Sequence, residues 1–193
     1  TVEVSNYDTN KNNVCTNGIH FFLTKVIAFL YNDISPYISW YDNGQLRHLC
    51  NNKNGRYIGR YESWYRNGQQ YEKCTYKDGH REGQYESWYR NGRQHARCNY
   101  KNGQYEGHYE LWFKNGQIHE KSNYKNGQLD GQHEIWYENE QIREKSNYKN
   151  GQYEGQYESW YENGQISVKR NYINDRLDGQ YEIWYENEQI REK

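Results

Sequence analysis

An all-β fold, an elongated single-layer antiparallel sheet of tandem 24-residue hairpins, is predicted by three features of the sequence. All seven Trp fall at one interval: Trp40, Trp64, Trp88, Trp112, Trp136, Trp160 and Trp184 are 24 residues apart. The glycines keep the same period, as Gly59, Gly83, Gly107, Gly131, Gly155 and Gly179 show, and again Gly55, Gly79, Gly103, Gly127 and Gly151. Within each period two short runs rich in Tyr, Trp, Ile and Thr alternate with two Asn-Gly signals, the pattern of strands joined by tight turns. Glu, Lys and Gln are good helix formers, but turn signals this frequent leave no window long enough for a helix.

Composition says what such strands bury. Hydrophobic residues are only 33% of the 193 and mean hydropathy is -1.47, values that suggest disorder except that 18% of residues are aromatic, with 23 Tyr and 7 Trp. Aromatic rings must supply most of the packing. The 25 Lys and Arg balance 26 Asp and Glu, which argues against nucleic acid and gives no basic face for anionic lipid. The longest apolar run, residues 19–31, is interrupted by Lys25 and too short to span a membrane, so a soluble protein that is not exported is expected.

The turns predict the register. A two-residue loop at Asn67-Gly68 sets Glu62 opposite Lys73, Trp64 opposite Tyr71 and Tyr65 opposite Gln70. The same rule pairs Glu86 with Arg97, Glu110 with Lys121, Glu134 with Lys145, Glu158 with Lys169 and Glu182 with Lys193, opposite charges each time. For the second turn a four-residue loop over residues 102–105 is favoured, because a two-residue loop would shear the sheet in every repeat. It pairs Tyr100 with Gly107 and Lys101 with Glu106, and in later repeats Lys125 with Asp130 and Lys149 with Glu154. Asn139-Glu140 and Asn187-Glu188 replace Asn-Gly, so those turns are expected to be strained or of another type.

Strand alternation then places the Trp on one face with the Glu/Lys pairs, interleaved with Arg47, Tyr71, His95, His119, Arg143, Ser167 and Arg191. This aromatic and cationic stripe, with the seven Trp, Tyr71, Arg143 and Arg191 as its named members, is the candidate binding surface. A Tyr and Ile ladder, including Tyr61, Tyr65, Ile135 and Ile142, is expected on the other face.

No catalytic residue, cofactor, metal site or small-molecule substrate is expected. Cys50, Cys74 and Cys98 repeat at 24 residues, a stacking row about 9.5 to 10 Å apart and too distant for disulfides, which implies free thiols and a reducing, intracellular setting. Cys15 stands alone. His95, His119, His108 and His133 substitute into positions of the repeat and no Cys/His spacing suits zinc. The Glu rows are copied many times, each beside a cation, unlike the single carboxylate pair of a glycosidase.

Residues 1–39 lack the repeat and read as a cap on the first hairpin, with a short helix over residues 25–31, or as a docking element through Phe21, Phe22 and Phe29; residues 40–193 form the array. The far edge, at Lys193, is expected to be bare and open to self-association or strand addition by a protein partner.

The series Tyr-Glu-x-Trp-Tyr-x-Asn-Gly-Gln, with Gly before each strand, resembles MORN repeats over residues 40–193, in the variant found in bacterial antitoxin-like proteins and in the arrays of giant viruses. Residues 15–25, Cys-Thr-Asn-Gly-Ile-His-Phe-Phe-Leu-Thr-Lys, resemble the segment that accompanies such arrays in Marseillevirus-type viruses. The resemblance implies a non-catalytic interaction scaffold, sometimes attributed to membrane association. Three functions follow as expectations: a protein-binding scaffold or structural component of a virus particle, resident in host cytoplasm or virion; an antitoxin-like neutraliser of an enzyme; or a binder of carbohydrate or lipid headgroups.

Overall fold

The computed structural model describes residues 34–193. The predicted helix at residues 25–31, Phe21, Phe22, Phe29 and Cys15 lie outside the described residues. Seventeen strands form one antiparallel sheet, and no helix occurs among the described residues. They are β1 (Ile34–Trp40), β2 (Leu46–Lys53), β3 (Arg56–Trp64), β4 (Gln70–Lys77), β5 (His80–Arg81), β6 (Gly83–Trp88), β7 (Gln94–Lys101), β8 (Gln104–Trp112) and β9 (Ile118–Lys125). The series continues as β10 (Gln128–Trp136), β11 (Ile142–Lys149), β12 (Gln152–Tyr153), β13 (Gly155–Trp160), β14 (Ile166–Ile173), β15 (Arg176–Leu177), β16 (Glu182–Trp184) and β17 (Ile190–Glu192). Residues 34–39, ahead of Trp40, lie in β1 and are already part of the sheet.

Pairing is sequential throughout, so contacts are local and the sheet is open, with β1 paired to β2 and β17 to β16. Every Glu–cation pair predicted about the first turn is found: Glu62 opposite Lys73, Glu86 opposite Arg97, Glu110 opposite Lys121, Glu134 opposite Lys145 and Glu158 opposite Lys169. Glu182 reaches Lys193 at 2.9 Å.

The turns that deliver this register differ from expectation, because two local deviations cancel. After Tyr65 the chain makes a three-residue loop, with Gly68 N–H donating to Tyr65 O at 2.9 Å and Tyr65 N–H to Gln69 O at 2.8 Å, and Gly68 holds φ 84° as only glycine does without strain. Trp64 therefore faces Gln70, and Tyr71 is the extra residue of a β-bulge before Ser63 pairs with Glu72. The second turn is a two-residue loop: Asn102 and Gly103 both take positive φ, and Lys101 pairs with Gln104 and Tyr100 with Tyr105. The shear expected of that loop is absorbed by a register shift between Cys98 and Tyr100, which returns Cys98 to Tyr109. Gly107 accordingly lies opposite Tyr124 and not Tyr100.

The acidic residues past this turn also serve a different partner from the lysines predicted for them. Glu82, Glu106, Asp130 and Glu154 accept the backbone N–H of Asn102, Asn126, Asn150 and Asn174, one repeat later, at 2.8, 2.9, 3.1 and 3.0 Å. A charged acceptor on a backbone N–H is the stronger bond, which explains why a carboxylate recurs there.

Asn139-Glu140 and Asn187-Glu188 keep the turn of the Asn-Gly repeats, with Glu140 at φ 68° and Glu188 at φ 66°, so of the two expectations strain is the one realised. Each carboxylate receives a Gln from the preceding repeat, Gln117 Nε2 to Glu140 at 2.7 Å and Gln165 Nε2 to Glu188 at 2.9 Å, a partial compensation.

This rim is also stitched by side chains from one repeat to the next. Tyr41, Tyr65, Tyr89, Tyr137 and Tyr161 donate their hydroxyls to the backbone carbonyls of Trp64, Trp88, Trp112, Trp160 and Trp184, at 2.9, 3.0, 2.6, 2.9 and 2.8 Å. Asn43, Asn67, Asn91 and Asn139 add a second bond, each to a loop carbonyl one repeat later. Phe113 occupies the Tyr position and has no hydroxyl to offer Trp136. Phe113→Tyr should therefore raise stability by about 0.5 to 1.5 kcal/mol, read as a higher denaturant midpoint at unchanged m-value.

Candidate functional site

The two faces of the sheet bury their side chains by different means. On one, tall rings shade small residues. Tyr61 lies between Cys50 and Cys74, Tyr109 between Cys98 and Ser122, and His133 between Ser122 and Ser146. Cys50, Cys74 and Cys98 are each 3% exposed and unbonded to one another, and Ser122 and Ser146 continue the row equally buried. Burial pushes the Cys74 thiol up to about 11 and Cys98 up to about 12, which leaves both protonated and unreactive. A second Tyr row packs beside the first: Tyr57, Tyr61 and Tyr76 meet with centroids 5.3 to 5.5 Å apart, and Tyr105, Tyr109 and Tyr124 at 5.1 to 5.7 Å.

This face also holds a charged pair that the sequence reading did not single out. Glu72 is 8% exposed and bonded by Arg81 at 3.0 Å, while the Arg81 guanidinium lies 4.6 Å from the Tyr85 ring centre and donates to Tyr100 Oη at 3.4 Å. In the other repeats the Arg81 column carries Tyr57, Tyr105, Leu129, Tyr153 and Leu177, and that break in an otherwise uncharged column was the available signal. His133 bonds Ser122 at 2.9 Å and sits 3.7 Å from Glu120. No three His, Cys, Asp or Glu among the described residues are grouped to hold a metal.

The other face carries the Trp row and the charge row. Each interior cation lies between two carboxylates in the register: Lys73 between Glu62 and Glu86, Arg97 between Glu86 and Glu110, Lys121 between Glu110 and Glu134, Lys145 between Glu134 and Glu158, and Lys169 between Glu158 and Glu182. Trp40 is 53% exposed and the six later Trp are half-buried. Cations lie over indoles, but they come from the charge row: Arg97 over Trp112 and Lys121 over Trp136, each at 5.7 Å.

The residues expected to alternate with Trp stack elsewhere, because the bulge carries them one register position away. Tyr71, 43% exposed, packs on Tyr65 at 5.0 Å; Arg47, Arg143 and Arg191 lie over Tyr41, Tyr137 and Tyr185; His95 and His119 meet Tyr89 and Phe113. Their place opposite Trp is taken by Gln70, Gln94, Ile118, Ile142, Ile166 and Ile190. Ile142 thus lies across from Trp136 and not in the Tyr ladder.

Open grooves run along the charge row on the side away from the Trp row. One lined by Glu86, Arg97, Asn99, His108 and Glu110 has a volume of about 240 Å³, and its counterpart along Glu134, Lys145, Asn147 and Glu158 about 190 Å³. No helix among the described residues is long and apolar enough to cross a membrane.

The family model for the MORN repeat variant matches residues 57–78, 105–126, 129–150 and 153–174. Each match begins in the strand that follows the two-residue turn and ends at the next such turn, one hairpin on. The segment between the first two matches is the one with Arg81 in place of the ring or Leu. No curated protein matches the chain. Repeats of this type generally serve as interaction modules for proteins or membranes, and this hairpin array is similar to them at four positions.

Proposed function

We propose that the protein is a non-catalytic scaffold that binds protein through its Trp face. One observation carries the reading: a row of half-buried indoles runs beside a row of alternating charges on successive strands, with Arg97 and Lys121 already stacked on Trp112 and Trp136. Indoles and guanidinium groups are the side chains that dominate protein interfaces, and a face repeated strand after strand suits extended contact better than a single enclosed ligand. The balance of charge disfavours nucleic acid and anionic membrane. Buried, protonated thiols fit a reducing compartment. A place in a giant-virus particle rests on the resemblance of residues 15–25, and neutralising an enzyme or binding glycans are the rival outcomes.

The test is capture from native material with cross-linking, comparing the wild type with Trp112→Ala/Trp136→Ala and with the Tyr-face variant Tyr105→Ala. Loss of the same cross-linked protein from the Trp variant alone, with the circular dichroism of both variants unchanged, supports the reading. Unchanged capture, or binding only to a glycan array or to vesicles, overturns it.

A further inference from the structure

We propose that the Trp face over residues 107–172 is an interface between two copies of this chain, packed face to face about a two-fold axis parallel to the strands. The inference rests on the Trp face being the binding face and names its occupant. Six successive register positions there carry Glu110, Lys121, Glu134, Lys145, Glu158 and Lys169. A two-fold axis through the middle of this row exchanges first with last. It sets Glu110 against Lys169 of the partner subunit, Lys121 against Glu158 of the partner subunit, and Glu134 against Lys145 of the partner subunit. Every contact is between opposite charges because an alternating row of even length changes sign on reversal. An axis along the row would instead place Glu on Glu and Lys on Lys, so the charges select one symmetry.

The same operation fits the neighbouring row. Trp112, Ile118, Trp136, Ile142, Trp160 and Ile166 alternate large and smaller side chains across the strands. Reversal lays Trp112 on Ile166 of the partner subunit, Ile118 on Trp160 of the partner subunit and Trp136 on Ile142 of the partner subunit, bulk against gap. In the earlier repeats Gln70 and Gln94 stand where these Ile stand, so the apolar part of the row belongs to the later hairpins.

A second copy is the occupant these features single out. The row holds equal numbers of each sign and offers no net field to an acidic or basic partner, yet an identical row matches its strand spacing and its signs at every step. The lysines that would cross the interface are free to do so, Lys145 and Lys169 both being 52% exposed with Nζ 3.5 Å from their in-sheet carboxylates. Facing strands of the two copies are collinear and run in opposite senses under this axis, which is still the aligned sheet packing that twisted sheets prefer. Six strands at about 4.8 Å spacing bury on the order of 1,200 Å² in total, within the range of stable interfaces.

The experiment is sedimentation equilibrium of the full chain, wild type and two charge reversals, Lys145→Glu and Glu134→Lys. In either variant alone the symmetry-related contacts become like-charged, and the dimer dissociation constant should rise about a hundredfold or more at low salt. An equimolar mixture of the two variants restores opposite charges at both contacts and should dimerise one to one, even though neither variant does so by itself. Circular dichroism of each variant guards against misfolding. A wild type that stays monomeric, variants that dimerise as the wild type does, or a mixture that fails to associate overturns the proposal. If the wild type is monomeric yet Trp112→Ala/Trp136→Ala loses a cross-linked protein, the second copy is excluded and the Trp face stands as a binding face. If wild-type dimers survive both the charge reversals and the Trp substitutions, neither reading stands.

Discussion

Arg81→Ala should destabilise the array by about 3 to 5 kcal/mol, a larger loss than any other single side chain here is expected to produce. Glu72 is buried beneath the Tyr rings and Arg81 is the cation bonded to it, so truncating Arg81 leaves a carboxylate with neither water nor a counter-ion. The next repeat shows the remedy, since it has Ala96 and Tyr105 at the two equivalent positions. Glu72→Ala combined with Arg81→Tyr should therefore fold with stability within about 1 kcal/mol of the wild type, because it replaces a buried ion pair by the packing that a neighbouring hairpin already uses. Urea denaturation of the single and double variants checks this. A double variant as unstable as Arg81→Ala would mean that the cost arises from lost ring contacts and not from the stranded charge.

Alkaline pH should unfold the sheet cooperatively between about pH 10 and pH 12. Burial, with the nearby carboxylate of Glu120 or Glu144 adding to it, pushes Tyr124 and Tyr157 up to about 12. Burial likewise raises Tyr61, Tyr85, Tyr100, Tyr109 and Tyr148. In the unfolded chain these phenols ionise near pH 10, so above that value the unfolded state sheds protons that the folded state retains, and stability falls as pH rises. Below pH 10 their contribution is complete. Each linked phenol steepens the fall by about 1.4 kcal/mol per pH unit, so the loss should be abrupt. Phenolate absorbance and far-ultraviolet circular dichroism followed together should change in one step. Phenols that ionise one after another from pH 10, in a sheet that stays intact, would contradict the buried-ring account.

How much of this was legible in the sequence depends on whether the determining contact lies within a hairpin or between hairpins. The Glu62–Lys73 register was readable because opposite charges recur at positions equidistant from one turn, so a slip would have broken every pair at once. The loops themselves were misread because a bulge at Tyr71 restores the register that the three-residue loop disturbs, and pairing far from a turn carries no record of two compensating shifts near it. That same bulge is why Tyr71, Arg143 and Arg191 stack on Tyr rings and not within the Trp row. Glu106, Asp130 and Glu154 were paired with the nearest lysine in sequence, whereas their partner is a backbone N–H twenty positions ahead that no side-chain pattern announces. The recurrence of an acid in that column, Glu82 and Asp178 included, was the visible trace. The Trp row was legible from its period alone, but its in-register neighbours were not.

The Tyr hydroxyl that reaches the following Trp carbonyl has a mechanical corollary. Pulled from its two ends, the sheet should not rupture at once but unzip one hairpin at a time, giving a saw-tooth force trace with one tooth for each hairpin released. The join beside Phe113, where the hydroxyl is missing, is the seam set to part at the lowest load.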